Sequence, residues 1–196
     1  MHLWTSERDS SRIAPGETGA PISVRRIMRE ATRFDHQDVD HLFSTLDLRD
    51  PVSYRIFLTI HHTALSTLGA RWRAEDRDDF SALLHCLVDD LQALGDLVTV
   101  PRAAQRQRAY SIRQWGVAYV IRGSRLGGAV LRQRVPSGYP ASYLTYAPTL
   151  SWPEFLKRLE QETRATDRLA HTHMIRGAKQ AFETFKHAAV GFGLGQ

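Results

Sequence analysis

Polar and apolar residues follow one another along most of this chain with the period of a helix. The clearest case is Phe80, Leu83, Leu84, Leu87, Val88, Leu91 and Leu94. Their three- and four-residue spacing predicts an amphipathic helix, and Gly95 stands where a terminating glycine belongs. Upstream, Asp50 and Pro51 form the N-cap and first position of a helix running towards Leu68. Before it, a first helix is predicted from about Ser23 to Phe43, with Ile27, Ala31, Phe34 and Leu42 as its core stripe. Pro101 opens another helical stretch, which leads into a long helix from about Ser111 to Arg134. The segment PSGYP (136–140) ends that helix. SWPE (151–154) reads as a capping box, with Ser151 capping and Glu154 reaching back. Helical pattern then continues, with a break, to about Ala189. Strand-like alternation is scarce, so the chain reads as all-α. Residues 1–21 are polar and rich in Ser, Gly and Pro, and are expected to be a mobile N-terminal extension. Residues 22–190 form one compact helical domain on this reading, and 191–196 a C-terminal tail.

The long helix carries an oddity. In GSRLGGAVL (123–131), three glycines fall within six positions. Each interior glycine costs about 1 kcal/mol relative to alanine, so something must approach that backbone closely. Gly116, Gly123 and Gly127 lie within about 40° of one another on a wheel of 3.6 residues per turn, with Val120 between them. Two explanations stand: close packing against another helix, or a flat ligand lying on the backbone. Gly128 beside Gly127 favours local bending of the helix. The Gly123–Gly127 pair also matches a membrane-dimer motif, but Arg122 and Arg125 interrupt the apolar run.

Composition narrows the classes. The chain has 196 residues with 42% hydrophobic and 24% charged residues, enough for one well-sized core. Its net charge of +5 and pI near 9.7 admit an acidic partner, an anionic ligand or nucleic acid. Cys86 is the sole cysteine, which excludes an internal disulfide and suits a reducing cytoplasm. The N-terminus lacks a secretory apolar run, and no stretch is long enough to cross a bilayer. No P-loop, C-x-x-C, H-E-x-x-H or G-x-S-x-G pattern occurs.

One histidine has an informative setting. On the first helix His36 shares an angular sector with Arg29, Asp40 and Phe43. A cation two turns before it and a carboxylate one turn after it suit an oriented metal ligand, although a solvated surface histidine fits the same spacing. His61 and His62 diverge on a helix, as do His171 and His173, and neither pair can chelate one metal. His85 and Cys86 fall within the amphipathic helix over 80–94.

Taken together, two stretches resemble one family. REATRFDHQDVD (29–40) resembles the proximal helix of heme oxygenases, and YVIRGSRLGGAVL (119–131) their distal helix. YRIFLTIHHTAL (54–65) and LVDDLQALG (87–95) are similar to the bacterial branch associated with bacteriophytochromes. The likeness spans roughly residues 24–187, with the histidine helix preceding the glycine helix.

The resemblance implies a fold in which heme b, both substrate and cofactor, lies between those two helices. It implies oxidative cleavage of heme to biliverdin, carbon monoxide and ferrous iron by dioxygen. His36 would be the axial iron ligand, steadied by Asp40. Gly123, Ser124, Gly127 and Gly128 would bring the distal backbone over the iron and its dioxygen, with Phe43 and Val120 against the porphyrin. Arg29 would face one heme propionate, and Lys157 and Arg158 the other side. Two departures stand out. Ser124 replaces the aspartate of animal enzymes, which shifts proton delivery to ordered water and backbone groups. Arg122 stands where bacterial relatives carry glutamate, which puts that helix's outer contacts in question. No flavin or nicotinamide motif is present, so electrons must come from an external electron donor. An acidic ferredoxin-like protein suits the basic charge, and a bacteriophytochrome is the implied product acceptor. Two competing readings are a non-catalytic heme carrier or sensor on the same fold, and a basic helical nucleic-acid-binding protein; the preferred reading has neither a nucleic-acid nor a membrane partner.

Overall fold

The computed structural model describes residues 23–69, 72–73, 76–100, 111–163 and 168–195. Their regular structure is helical, without a strand. The order is α1 (Val24–Ala31), α2 (Arg33–Ser44), α3 (Pro51–Leu68), α4 (Arg77–Ala93), α5 (Ile112–Arg132), α6 (Ser142–Thr145), α7 (Trp152–Thr163) and α8 (Arg168–Gly191). The N-terminal extension and the stretch opened by Pro101 lie outside the described residues.

Local chemistry accounts for most boundaries. The Asp50 carboxylate accepts from Ser53 N–H at 2.7 Å, and Pro51 occupies the first turn of α3. Gly95 adopts φ +89° just after α4, a conformation glycine tolerates without a Cβ clash. Ser111 and Gln114 make a reciprocal capping box at the start of α5. At α7 the Glu154 carboxylate reaches back to the Ser151 N–H at 3.0 Å. The Ser151 hydroxyl donates to the same carboxylate at 2.5 Å.

The predicted first helix is in fact two. Thr32 breaks it, with φ −112° and ψ 6°, and its hydroxyl donates to the Met28 carbonyl at 2.8 Å. A side chain that bonds its own backbone competes with helix continuation. The expected stripe of Ile27, Ala31, Phe34 and Leu42 is not the core face on either side of the break, although Leu42 packs partly buried against the core. Phe34 is 67% exposed. The buried residues are Val24 and Met28 on α1, and Val39, Asp40 and Phe43 on α2.

The core gathers on α5 and α8, the most extensively packed pair. Their backbones nearly touch: a Cβ on Gly116 would stand 1.9 Å from the Met174 carbonyl oxygen, and one on Gly177 2.0 Å from that of Arg113. Gly116 is therefore a helix-packing glycine. Lys179 and Lys186 of α8 reach Asp35 and Asp38 of α2 at 3.4 and 3.5 Å, which fixes α2 along the same support. The short α6, absent from the sequence expectation, is held by α4: the Asp90 carboxylate accepts from the backbone N–H of Ser142 and Tyr143, each at 2.9 Å. Beyond α8, Leu194 is buried, so the end of the chain folds back onto the core.

Arg122 is also explained. It is 4% exposed, and its Nη2 lies 2.8 Å from both Asp76 Oδ1 and Asp79 Oδ2. Nη1 donates to the Leu150 carbonyl at 3.0 Å. Its contacts are inner ones that tie α4, α5 and the segment before α7 together, not the outer contacts expected from the sequence.

Candidate active site

A cavity of about 40 Å³ opens between α2 and α5. Asp40 and Phe43 of α2 and Val120 and Ser124 of α5 line it from opposite sides. His61 on α3, Tyr143 and Leu144 around α6, and Phe182 and Phe185 on α8 close it. Asp40 and Phe43 of α2 are buried and line the cavity, whereas His36, half-buried one turn before Asp40, does not line it. The His36 imidazole edge meets Phe182 at a centroid distance of 5.9 Å. Its Nδ1 stands 3.7 Å from Asp40 Oδ2, with the histidine side chain 24% and the aspartate 6% exposed. Nε2 of His36 is a buried atom. A carboxylate near one ring nitrogen favours the tautomer that presents the other.

The other predicted site residues divide. Val120 and Phe43 are buried cavity walls. Ser124 lines the cavity while its hydroxyl donates to the Ile121 carbonyl at 2.7 Å. Gly123 and Gly127 are buried on α5. Gly128 is also buried, but a Cβ there would stand 2.6 Å from the Leu144 carbonyl oxygen. Its missing side chain admits α6, a packing task. Arg29 is exposed on α1 within electrostatic reach of the Tyr119 phenol, and neither residue lines the cavity. Burial pushes that phenol's pKa up, and the positive charges of Arg25 and Arg29 oppose the shift. Lys157 and Arg158 are exposed on α7 near Glu154, whose pKa is lowered chiefly by its bonds from Ser151 and then by these cations. Neither lines the cavity.

Sequence reasoning missed the buried end of the cleft. There His61 is ringed by Phe43, Phe57, Tyr143 and Phe185, with centroids 4.1–5.4 Å away. Its Nδ1 bonds the Phe57 carbonyl at 2.8 Å, so it carries the proton. Burial drives the His61 pKa down from 6.5 to about 3, the Phe57 bond opposes this, and the charge of Arg125 adds to the fall. The Arg125 guanidinium lies over the Tyr143 ring at 4.3 Å. The dipeptide His61–His62 was the one available signal, and helical spacing alone could not tell which ring turns inward.

Two comparisons now bear on this arrangement. No family profile matches the chain. A heme oxygenase from Xanthomonas campestris pv. campestris (strain 8004) is 32% identical over 130 residues, covering 62% of this chain and 72% of that relative. The chain belongs to the heme oxygenase family. It is thus an enzyme by descent, and its fold agrees: the heme oxygenase of Neisseria meningitidis, whose NO- and CO-bound crystal structures are known, superposes with a TM-score of 0.68. That match is at 20% identity and covers 89% of this chain and 94% of the other.

The residues present suit a heme oxygenase's porphyrin. The cleft offers apolar walls of valine and phenylalanine and a glycine-bearing helix opposite, and His36 stands beside its Asp40 wall. The size of the cleft does not, since sites for ligands of drug size run to about 300–1,000 Å³. Among the described residues no cluster of His, Cys, Asp and Glu could hold a metal by itself, and no helix is long and apolar enough to cross a membrane.

Proposed function

We propose that this protein degrades heme to biliverdin, releasing carbon monoxide and ferrous iron. The observation that carries the proposal is Asp40, which stands 3.7 Å from His36 Nδ1 and lines an apolar cavity across from Val120 and Ser124 of α5. Heme supplies the iron that activates dioxygen and is itself consumed. The protein's task is to hold and orient it, and to organise water and protons around it.

In this reading His36 binds the iron through Nε2, and Asp40 accepts from Nδ1–H, directly or through water. The neutral ring is then a moderate donor, in the manner of a histidine-ligated heme. Phe43, Val120 and Phe182 exclude bulk water. Gly123 and Gly127 leave the facing backbone bare, so ordered water can stand close to it. Ser124 donates to Ile121 and so keeps its oxygen lone pairs available to orient that water. Gly128 belongs to the α6 contact rather than to this face. Arg29, exposed on α1, pairs with a propionate, while Lys157 and Arg158 serve at most through a change in α7.

Electrons come from an external donor, and the net charge of +5 supports an acidic ferredoxin-like one. A bacteriophytochrome as acceptor of biliverdin rests on the sequence resemblance, and a cytoplasmic location on the lone Cys86, which suits a reducing compartment. The test is hemin titration of the purified chain, then ascorbate in air with catalase present. A saturable Soret band that yields biliverdin absorbance is expected. His36→Ala should still bind hemin with an altered ligation spectrum and lose turnover. A stable complex that ascorbate and a ferredoxin system both leave intact would establish the carrier reading instead.

A further inference from the structure

Arg125 is the one feature of the cleft that the proposed reaction does not use. It lines the cavity from the turn of α5 that carries Ser124. Its Nε and Nη1 are buried and have no hydrogen-bond partner among the described residues. Its neighbours are the Tyr143 ring at 4.3 Å and His61, which lines the same wall. Neither supplies a negative charge. Asp40, the carboxylate on the same cavity, stands 3.7 Å from His36 Nδ1.

A buried guanidinium with open donors is costly, because the hydration it loses is not replaced by protein partners. Such a cost persists where the group acts on something that enters the site. Arg122, one turn earlier, shows how this fold treats a structural arginine, with two carboxylates and a carbonyl on its nitrogens. Arg125 has no carboxylate or carbonyl on its nitrogens, only a bond with the Tyr143 phenol, and it lines the cavity.

We propose that Arg125 is an anion-receiving residue of the heme cleft, pairing with a negative group that arrives with heme. The inference rests on the heme reading above. One chemistry covers two sources. The group is either a carboxylate of the porphyrin itself, which would seat heme with a propionate towards the buried end, or a small anion on the open face of the iron. In both, the guanidinium's planar fork meets an anion in an apolar setting, where charge-assisted bonds are strongest.

The experiment separates the sources. Hemin and its dimethyl ester are titrated into the full chain and into Arg125→Leu, following the Soret band. Fluoride is then titrated into each ferric heme complex. A wild-type preference for the diacid that falls by roughly tenfold or more in Arg125→Leu assigns the porphyrin carboxylate. A loss of fluoride affinity of roughly tenfold or more assigns the anion on iron. Arg125→Lys should recover part of either effect, because it keeps the charge and loses the fork. Should the leucine variant fail to fold, Arg125→Gln carries both titrations. A variant that binds heme and matches the wild type within about threefold in both arms overturns the inference alone. A wild-type chain that binds no heme overturns the heme reading, and this inference with it.

Discussion

Arg122 and Arg125 sit one turn apart on the same helix and meet opposite fates. Arg122 is fully engaged: Asp76, Asp79 and the Leu150 carbonyl take its donors. Asp79 in turn accepts from Tyr146 and from the Thr149 N–H at 3.0 and 2.9 Å. Burial raises the Asp79 pKa, yet these bonds and the Arg122 charge leave it lowered overall. Arg73 extends the network, 2.5 Å from Asp76 and stacked over Trp115 at 3.4 Å. Arg125 lies over a tyrosine ring with two nitrogens open to a cavity. The same side chain thus serves as scaffold in one place and as an unsatisfied group in the other. What differs is the neighbouring helix. α4 brings carboxylates to Arg122, whereas α3 and α6 bring a neutral histidine and a phenol to Arg125.

The sharpest break in that comparison is Arg122→Met. It removes the cation that Asp76 and Asp79 share, leaving Asp76 with Arg73 and Asp79 with its Tyr146 and Thr149 bonds; removing one partner of a buried pair costs up to about 3–5 kcal/mol. Denaturant unfolding should show the full loss, while the fraction that remains folded keeps its heme affinity. A stability change under 1 kcal/mol, on the order of a surface substitution, would mean the network is decorative.

A middle-sized effect concerns the wall between the two regions. The His61 pKa falls from 6.5 unfolded to about 3 folded, so the unfolded chain binds an extra proton between those values. Stability is therefore complete above pH 6.5 and declines as pH falls from there towards 3. The slope from this one group approaches about 1.4 kcal/mol per pH unit. His61→Gln should flatten the acid limb of a plot of unfolding free energy against pH. An unchanged limb would show that His61 is already neutralised by other means.

The smallest effect has the opposite sign to the first. In the heme-free chain Arg125→Leu should raise stability by about 1 kcal/mol, since it relieves an unsatisfied buried group. A calorimetric Tm that rises for Arg125→Leu and falls for Arg122→Met would support the division between the two arginines. A fall for both would make Arg125 part of the scaffold.

Helix class, the α4 stripe, and the starts and stops at Asp50–Pro51, Gly95 and Ser151–Glu154 were all legible before any coordinates. Each is decided by residues within a turn of one another, through apolar spacing, a carboxylate meeting an N–H, or a glycine at positive φ. His36 with Asp40 was legible for the same reason, being an i, i+4 pair. The break at Thr32 was not, because no Pro or Gly marks it and a threonine hydroxyl bonds the backbone in intact helices too. The core stripe was also placed off the side that buries Val24, Met28, Val39 and Phe43.

Long-range partners lay beyond local pattern altogether. That Gly116 and Gly128 admit neighbouring backbones depends on where α8 and α6 run. The partners of Arg122 come from positions 76, 79 and 150, and those around Arg125 from 61 and 143. The sequence by itself determined the helices and the histidine–carboxylate pair, since both follow from spacing along one backbone. Only the tertiary structure decided which glycines pack, which arginine is satisfied and which end of the cleft is closed. Those outcomes depend on the charge and shape of residues that meet only when the chain is folded.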